Sequence, residues 1–92
     1  MTRVSIVLPA RNESSSLKVL LPAIRRLLPE AELIVVNDGS DDDTASIASH
    51  LGARVVSNPY PKGNGAAIKL GARNASGELL VFMDADGQHV PD

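Results

Sequence analysis

The chain has 92 residues, a formal net charge of −2 and no cysteine or tryptophan. That balance argues against a nucleic-acid binder, which needs a clustered basic face, and the missing cysteines exclude disulfides and thiolate metal sites without settling the compartment. The longest apolar runs are about half a dozen residues, far short of the ~20 that cross a bilayer, and the N-terminus carries no signal-peptide h-region. Hydrophobic content is 43% with one Phe and one Tyr, so the core is expected to be aliphatic. Ninety-two residues suffice for one small domain but fall below the usual size of an α/β enzyme, which predicts a part of a longer protein.

Val4 to Leu8 is a short β-branched run stopped by Pro9, the pattern of a buried strand. After a loop from Pro9 to Glu13, residues Leu17, Leu20, Leu21, Ile24, Leu27 and Leu28 form one apolar stripe at spacings of three and four, which predicts a helix over 14–28. Asn12 and the serines at 14 to 16 are its candidate caps, and Pro22 should kink it by removing the backbone bond to Lys18. Glu32 to Asn37 is a second buried strand ending in Asp38-Gly39-Ser40. Asp41 to Thr44 is expected to cap a second helix that carries Ala45, Ile47, Ala48 and Leu51 and stops at Gly52.

Ala53 to Val56 reads as a third strand, and Asn58 to Asn64, with Pro59, Pro61 and Gly63, as a loop. A small-residue helix over 65–75 follows, with Ile68, Gly71, Ala72 and Ala75 on one side. Glu78 to Met83 is a fourth buried strand. The order β-α-β-α-β-α-β predicts a parallel sheet with helices on both faces and a ligand crevice at the carboxyl ends of the strands. The loops at 9–13, 38–44 and 84–89 should then share one rim.

Asp84-Ala85-Asp86-Gly87-Gln88 is the sharpest local feature. Paired surface acids are common, so an isolated D-x-D is more often a solvated loop. Here it directly follows an apolar strand, and residues two apart in an extended chain point to one side, so Asp84, Asp86 and Gln88 can aim oxygens at one point while Ala85 faces away. Two carboxylates that close repel unless protonated or bridged by a cation. Oxygen-only ligands point to Mg²⁺ or Mn²⁺ rather than Zn²⁺.

Asp38 sits at a strand tip, where a carboxylate can accept an N–H from a nucleobase, whereas Asp41 to Thr44 read as a structural cap. Lys62-Gly63-Asn64-Gly65 is either a phosphate cradle at a helix start or, the reading favoured by the absence of a Walker pattern, a glycine-rich turn permitting close helix–sheet contact. Lys62 remains a phosphate candidate. His89 is a candidate metal ligand, and His50 reads as a helix-terminal cation. Pro9 to Glu13 lacks the glycine fingerprint of a dinucleotide site, the Gly-rich loop of a sugar nucleotidyltransferase and the D-x-D of an aspartyl phosphatase, which disfavours all three.

Taken together, Val7-Leu8-Pro9-Ala10-Arg11-Asn12-Glu13, Val35-Val36-Asn37-Asp38-Gly39-Ser40 with Asp43-Thr44, Gly63-x-Gly65 and Met83-Asp84-Ala85-Asp86-Gly87-Gln88-His89 resemble, in order and spacing, the family 2 glycosyltransferases of GT-A fold. The polyprenyl-phosphate branch, with its dolichyl-phosphate mannosyltransferases, is the most similar. The resemblance implies an α/β, Rossmann-like GT-A half domain over 1–92, bound to a GDP- or UDP-linked sugar donor. It places Pro9, Ala10, Arg11, Glu13, Val36, Asp38, Lys62, Asp84, Ala85 and Asp86 at the nucleotide-sugar. It also implies Asp84 and Asp86 as catalytic residues, and Asp84, Asp86 and Gln88 as ligands of Mg²⁺ or Mn²⁺. Two departures stand out: many relatives have Tyr at the position of Arg11 and Asp at that of Asn37.

The expected activity of the full-length protein is hexosyl transfer to an acceptor such as a polyprenyl phosphate, in the cytoplasm or at the cytoplasmic face of a membrane. An alcohol acceptor needs a carboxylate to take its proton, whereas a phosphate acceptor is already ionised. The alternative is a non-catalytic nucleotide-binding or assembly module, self-associating through an open fourth-strand edge.

Overall fold

The computed structural model describes residues 3–85. Strands β1 (Val4–Ala10), β2 (Glu32–Asp38), β3 (Arg54–Asn58) and β4 (Leu79–Phe82) alternate with helices α1 (Ser14–Leu27), α2 (Thr44–His50) and α3 (Asn64–Asn74). All strand pairings are parallel, in the order β3-β2-β1-β4. Parallel neighbours require crossovers, which the three helices supply.

Side-chain alternation along the two central strands decides which helix covers which face. Ile6, Leu8, Leu33 and Val35 point to one side and pack with Leu17, Leu21 and Ile24 of α1 and Ala48 of α2. Val7, Ile34 and Val36 point to the other side, against Ala67 of α3. Each fully buried aliphatic side chain here contributes roughly 1.5–3 kcal/mol over an exposed one. These two faces therefore hold the sheet, and the aromatic-poor composition imposes no penalty on them.

Several expectations from sequence need correction. Leu27 and Leu28, at the carboxyl end of α1, are 80% and 45% exposed and border a shallow cavity with Arg3 and Val4. Pro22 lies inside α1, as expected, and leaves the Lys18 carbonyl without its helical partner on the exposed side, where water can satisfy it. The fourth strand forms the open edge expected of it, pairing only with β1 among the described residues, but it is not the buried strand expected, since Leu79, Val81 and Phe82 are exposed. Close helix–sheet contact comes from Gly71 and not from the glycines at the start of α3. A Cβ on Gly71 would lie 2.3 Å from Val7 Cγ1 and 3.0 Å from Val36 Cγ2, while one on Gly65 would meet open space.

At the amino end of the sheet, Ser5 is fully buried in β1. Its hydroxyl donates to Glu32 Oε1 at 2.7 Å and accepts from the Gly77 amide at 2.8 Å. Glu32 Oε1 also accepts from the Ser76 amide and hydroxyl. One carboxylate thus fastens the α3–β4 connection to the bottom of the sheet. The Ser76 amide and then the Ser5 hydroxyl hold the Glu32 carboxyl below its ordinary range.

Two outcomes follow for stability. Gly71→Ala should cost about 1–3 kcal/mol through overpacking, whereas Gly65→Ala should be neutral or stabilising by up to ~1 kcal/mol; urea denaturation of the pair checks this. Because the folded pKa of Glu32 is lowered, its contribution is full above the ordinary value near 4.5 and declines as pH falls through the folded value. Melting curves between pH 6 and 3 should therefore show a smaller acid loss in Glu32→Gln than in the parent.

Candidate functional site

Parallel pairing brings the carboxyl ends of all four strands to one rim, and the loops after them build a cleft of about 330 Å³. The first wall is the turn after β1. Asn12 adopts a positive φ of 55°, a conformation that Asn tolerates better than most residues. Its amide donates to Ser40 Oγ at 3.0 Å, and its Oδ1 accepts from the amides of Asp41 at 2.8 Å and Asp42 at 3.3 Å. Asn12 therefore ties this turn to the β2–α2 loop and does not cap α1, whose N-cap position is Glu13 with no side-chain cap. The Glu13 amide bonds to Thr44 Oγ1, and Ser14 Oγ to Asp42 Oδ2.

Capping of α2 falls to Asp42 within the expected acidic run. Its Oδ1 accepts from the Thr44 amide at 3.0 Å and from the Thr44 hydroxyl. The Thr44 hydroxyl is the main reason its carboxyl sits below the ordinary range. Neither Asp41 nor Asp43 takes part in such a cap among the side-chain bonds of this loop. The cross-links fix the relative height of the turn after β1 and the loop after β2.

The second wall is Asp38, only 6% exposed at the tip of β2. Its Oδ1 accepts from Asn58 Nδ2 and from the Lys62 amide, each at 3.0 Å, and its Oδ2 from the Gly63 amide at 3.0 Å. Burial pushes its carboxyl up, but these three donors and the nearby charge of Arg11 outweigh burial and hold it low. Gly39, with φ of +67°, allows the close approach this requires: a Cβ there would lie 2.4 Å from the Pro61 nitrogen and 2.6 Å from the Tyr60 carbonyl carbon. Asp38 thereby pins the 59–63 segment and the start of α3 against the cleft.

Residues Pro9, Ala10, Arg11, Glu13, Asp38 and Asp84, all expected at the site, line this cleft together. Asp84 is exposed on it, while Ala85 is fully buried in the core, the alternation expected of the D-x-D start. Three expected residues lie elsewhere. Val36 packs beneath α3 in the core, Ala85 faces the opposite core, and the Lys62 side chain is exposed above the Tyr60 ring at 5.2 Å from its centroid while its amide serves Asp38. Asp86, Gln88 and His89 lie outside the described residues. Among the described residues no three His, Cys, Asp or Glu side chains cluster as a metal site, and Asp84 is the one described member of the expected ligand set. An oxygen-only donor set that starts on the cleft wall fits Mg²⁺ or Mn²⁺.

Pro61, Gly63, Asn64 and Ala67 complete the lining among the described residues, and Asn58 supports it from behind. The sequence signal for these was the Asp38-Gly39 strand end together with the Pro-Gly loop; what periodicity does not reveal is that one carboxylate joins them.

Comparison with known proteins agrees with this geometry. A family model described as glycosyl transferase family 2 matches residues 5–92. The undecaprenyl-phosphate 4-deoxy-4-formamido-L-arabinose transferase of Photorhabdus laumondii is 36% identical, over 98% of this chain and 31% of its own length. Glucosyl-3-phosphoglycerate synthase from Mycobacterium tuberculosis, crystallised with Mn²⁺, uridine diphosphate and glucosyl-3-phosphoglycerate, superimposes with a TM-score of 0.76 at 38% identity, covering 92% of this chain and 34% of that one. A mannosyltransferase from Pyrobaculum calidifontis in complex with GDP-Man and Mn²⁺ gives a TM-score of 0.84 at 26% identity, covering 92% and 28%. The chain thus spans about a third of the length of these relatives.

Gly39→Ala should destabilise the protein by about 1–3 kcal/mol, combining a strained positive φ with a clash against Pro61. Thermal unfolding of this variant beside Gly52→Ala, which has a positive φ but open space around it, separates clash from strain, and Gly39→Ala should be the more damaging.

Proposed function

Because this chain belongs to glycosyl transferase family 2, we propose that residues 1–92 are the nucleotide-sugar-binding part of a metal-dependent glycosyltransferase domain. The observation that carries this reading is the convergence of Arg11, Glu13, Asp38, Gly63 and Asp84, from four successive strand ends, on one cleft. A volume of about 330 Å³ lies within the range of small-molecule sites. Asp38 and Glu13 hold the nucleoside, and Arg11 brings positive charge beside them. Asp84 orients the donor sugar, and the Lys62 ammonium, which stands over the Tyr60 ring outside the cleft lining, would have to leave that ring to meet the diphosphate.

Asp84, Asp86 and Gln88 would hold Mg²⁺ or Mn²⁺, which when bound supplies Lewis-acid charge opposite the departing nucleoside diphosphate. The crystallised relatives with Mn²⁺ and UDP or GDP-Man support that choice of donor class and metal. The arabinose transferase named for undecaprenyl phosphate supports a lipid-phosphate acceptor for the full-length protein. Such an acceptor is ionised at neutral pH and requires no strong base. No described helix is long and apolar enough to cross a membrane.

The exposed outer edge of β4 favours one second reading, a module that pairs with another copy. Light scattering distinguishes it: concentration-dependent dimerisation that disappears on Val81→Lys would support pairing, and a monomer at all concentrations would exclude it.

Isothermal titration of UDP and GDP with and without Mn²⁺ tests the main reading. Mn²⁺ should tighten nucleotide binding at least about tenfold, a gain of ~1.4 kcal/mol, and Asp86→Ala should abolish that gain. Unchanged metal dependence in Asp86→Ala would refute the assigned metal ligands.

A further inference from the structure

We propose that Ser5, Glu32 and Gly77, at the amino rim, form a register lock for β4, and that this lock positions the metal end of the cleft because it sets where Asp84 leaves the sheet. The proposal rests on the donor-site reading above and deepens it. The run Leu79-Leu80-Val81-Phe82-Met83 has no alternation of polar and apolar residues, and Leu79, Val81 and Phe82 are exposed. A strand's register is specified strongly only where one face is buried and the pattern distinguishes it. The Glu78 and Leu79 amides donate to the Arg3 carbonyl, and the Met83 amide to that of Val7. A strand shifted by two residues would find equivalent backbone bonds. At the far end Ala85 is buried in the core, but a single methyl resists sliding weakly.

The connection before β4 supplies what the strand lacks. The buried Ser5 hydroxyl accepts from the Gly77 amide at 2.8 Å and donates to Glu32 Oε1 at 2.7 Å. By taking that proton, Glu32 turns an oxygen lone pair of Ser5 toward Gly77. The same Oε1 accepts from the Ser76 amide at 2.9 Å and the Ser76 hydroxyl at 3.1 Å. Arg54 of β3 stands 4.0 Å from Glu32 Oε2 and donates to the Asn74 carbonyl at 2.9 Å, which draws the end of α3 to the same point. Only glycine fits against Ser5: a Cβ on Gly77 would lie 2.5 Å from Ser5 Oγ and 2.8 Å from the Ser5 nitrogen. A slip of one or two residues in either direction would bring Ala75, Ser76, Glu78 or Leu79 to that place, each with a Cβ that collides. One glycine and one oriented hydroxyl therefore admit one register.

In that register Ile6 pairs with Val81 and Val7 with Phe82, and Asp84 reaches the cleft beside Pro9. A slip of two residues would keep every side chain on its face yet carry Asp84 about 6–7 Å along the strand. A cation that holds its oxygen ligands at about 2.0–2.6 Å would lose it. Arg11, Glu13 and Asp38 hang on β1 and β2 and would stay in place. Ser5 and Glu32 are thus positioning residues that act on the metal end of the cleft through β4.

The test is amide hydrogen exchange and calorimetry on the parent, Glu32→Ala, Ser5→Ala and Glu32→Gln, with circular dichroism to verify folding. In Glu32→Ala, or in Ser5→Ala if only that variant folds, the Leu79 and Met83 amides should exchange at least about tenfold faster while those of Ile34, Val35 and Val36 in β2 keep their rates. The gain in UDP affinity on adding Mn²⁺ should fall from at least about tenfold to within about threefold, with metal-free UDP affinity within about twofold of the parent. Glu32→Gln retains an acceptor oxygen and should keep both the slow exchange and the metal gain. Exchange that rises equally in β4 and β2, failure of both alanine variants to fold, or an unchanged metal gain in a folded one would show that the cluster only stabilises the sheet, and would overturn the proposal. Unchanged β4 exchange would defeat the proposal alone. A parent that binds no UDP with Mn²⁺ would defeat the donor-site reading and the proposal with it.

Discussion

A buried carboxylate at the end of the second strand is the constraint on which the cleft depends. Leaving Asp38 at 6% exposure without donors would cost far more than the loop could recover elsewhere. The chain satisfies it by bending the segment after β3 until two backbone amides and the Asn58 side chain reach it. That bend places Gly63 and Asn64, the start of α3, on the cleft. Without the charge there would be no reason for a Pro-Gly loop to lie so close to Gly39.

The two rims of the sheet use the same device for different ends. At the amino rim, Glu32 gathers Ser5 and Ser76 and holds the connection into β4. At the carboxyl rim, Asp38, Asp42 and Asn12 gather loop amides, and their remaining surface faces the cleft or solvent. The lower rim maintains the fold, whereas the upper one presents Arg11, Glu13 and Asp84 along the cleft. Family membership, and relatives crystallised with Mn²⁺ and nucleotide, fit a site at that upper rim.

The parallel α/β architecture was legible because the β-branched runs at 4–8 and 32–37 and the helical stripe of Leu17, Leu21 and Ile24 carry different periods. The shared rim then followed from connection length alone. The open edge of the fourth strand was expected, but an apolar run reads alike whether or not helices cover its faces, which is why the exposure of Val81 and Phe82 was hidden. Leu27 and Leu28 continue the stripe by spacing, but spacing does not say how far along the helix the core reaches. Val36 shares its strand face with Asp38, so alternation directs both toward α3, and only the strand tip rises to the cleft. The work of Asn12 and Asn58 was invisible, since each acts on a loop some twenty to thirty residues away in sequence.

The claim that the carboxyl rim is a nucleotide-sugar donor site is tested most directly by nuclear magnetic resonance, following backbone amide shifts as UDP is added with Mg²⁺. The amides of Arg11, Glu13, Gly63 and Asp84 should move together with one dissociation constant, while those of Glu32, Ser76 and Ala31 at the opposite rim stay fixed. Shifts concentrated at the opposite rim, or no shift in the four cleft loops at saturating nucleotide, would contradict the account.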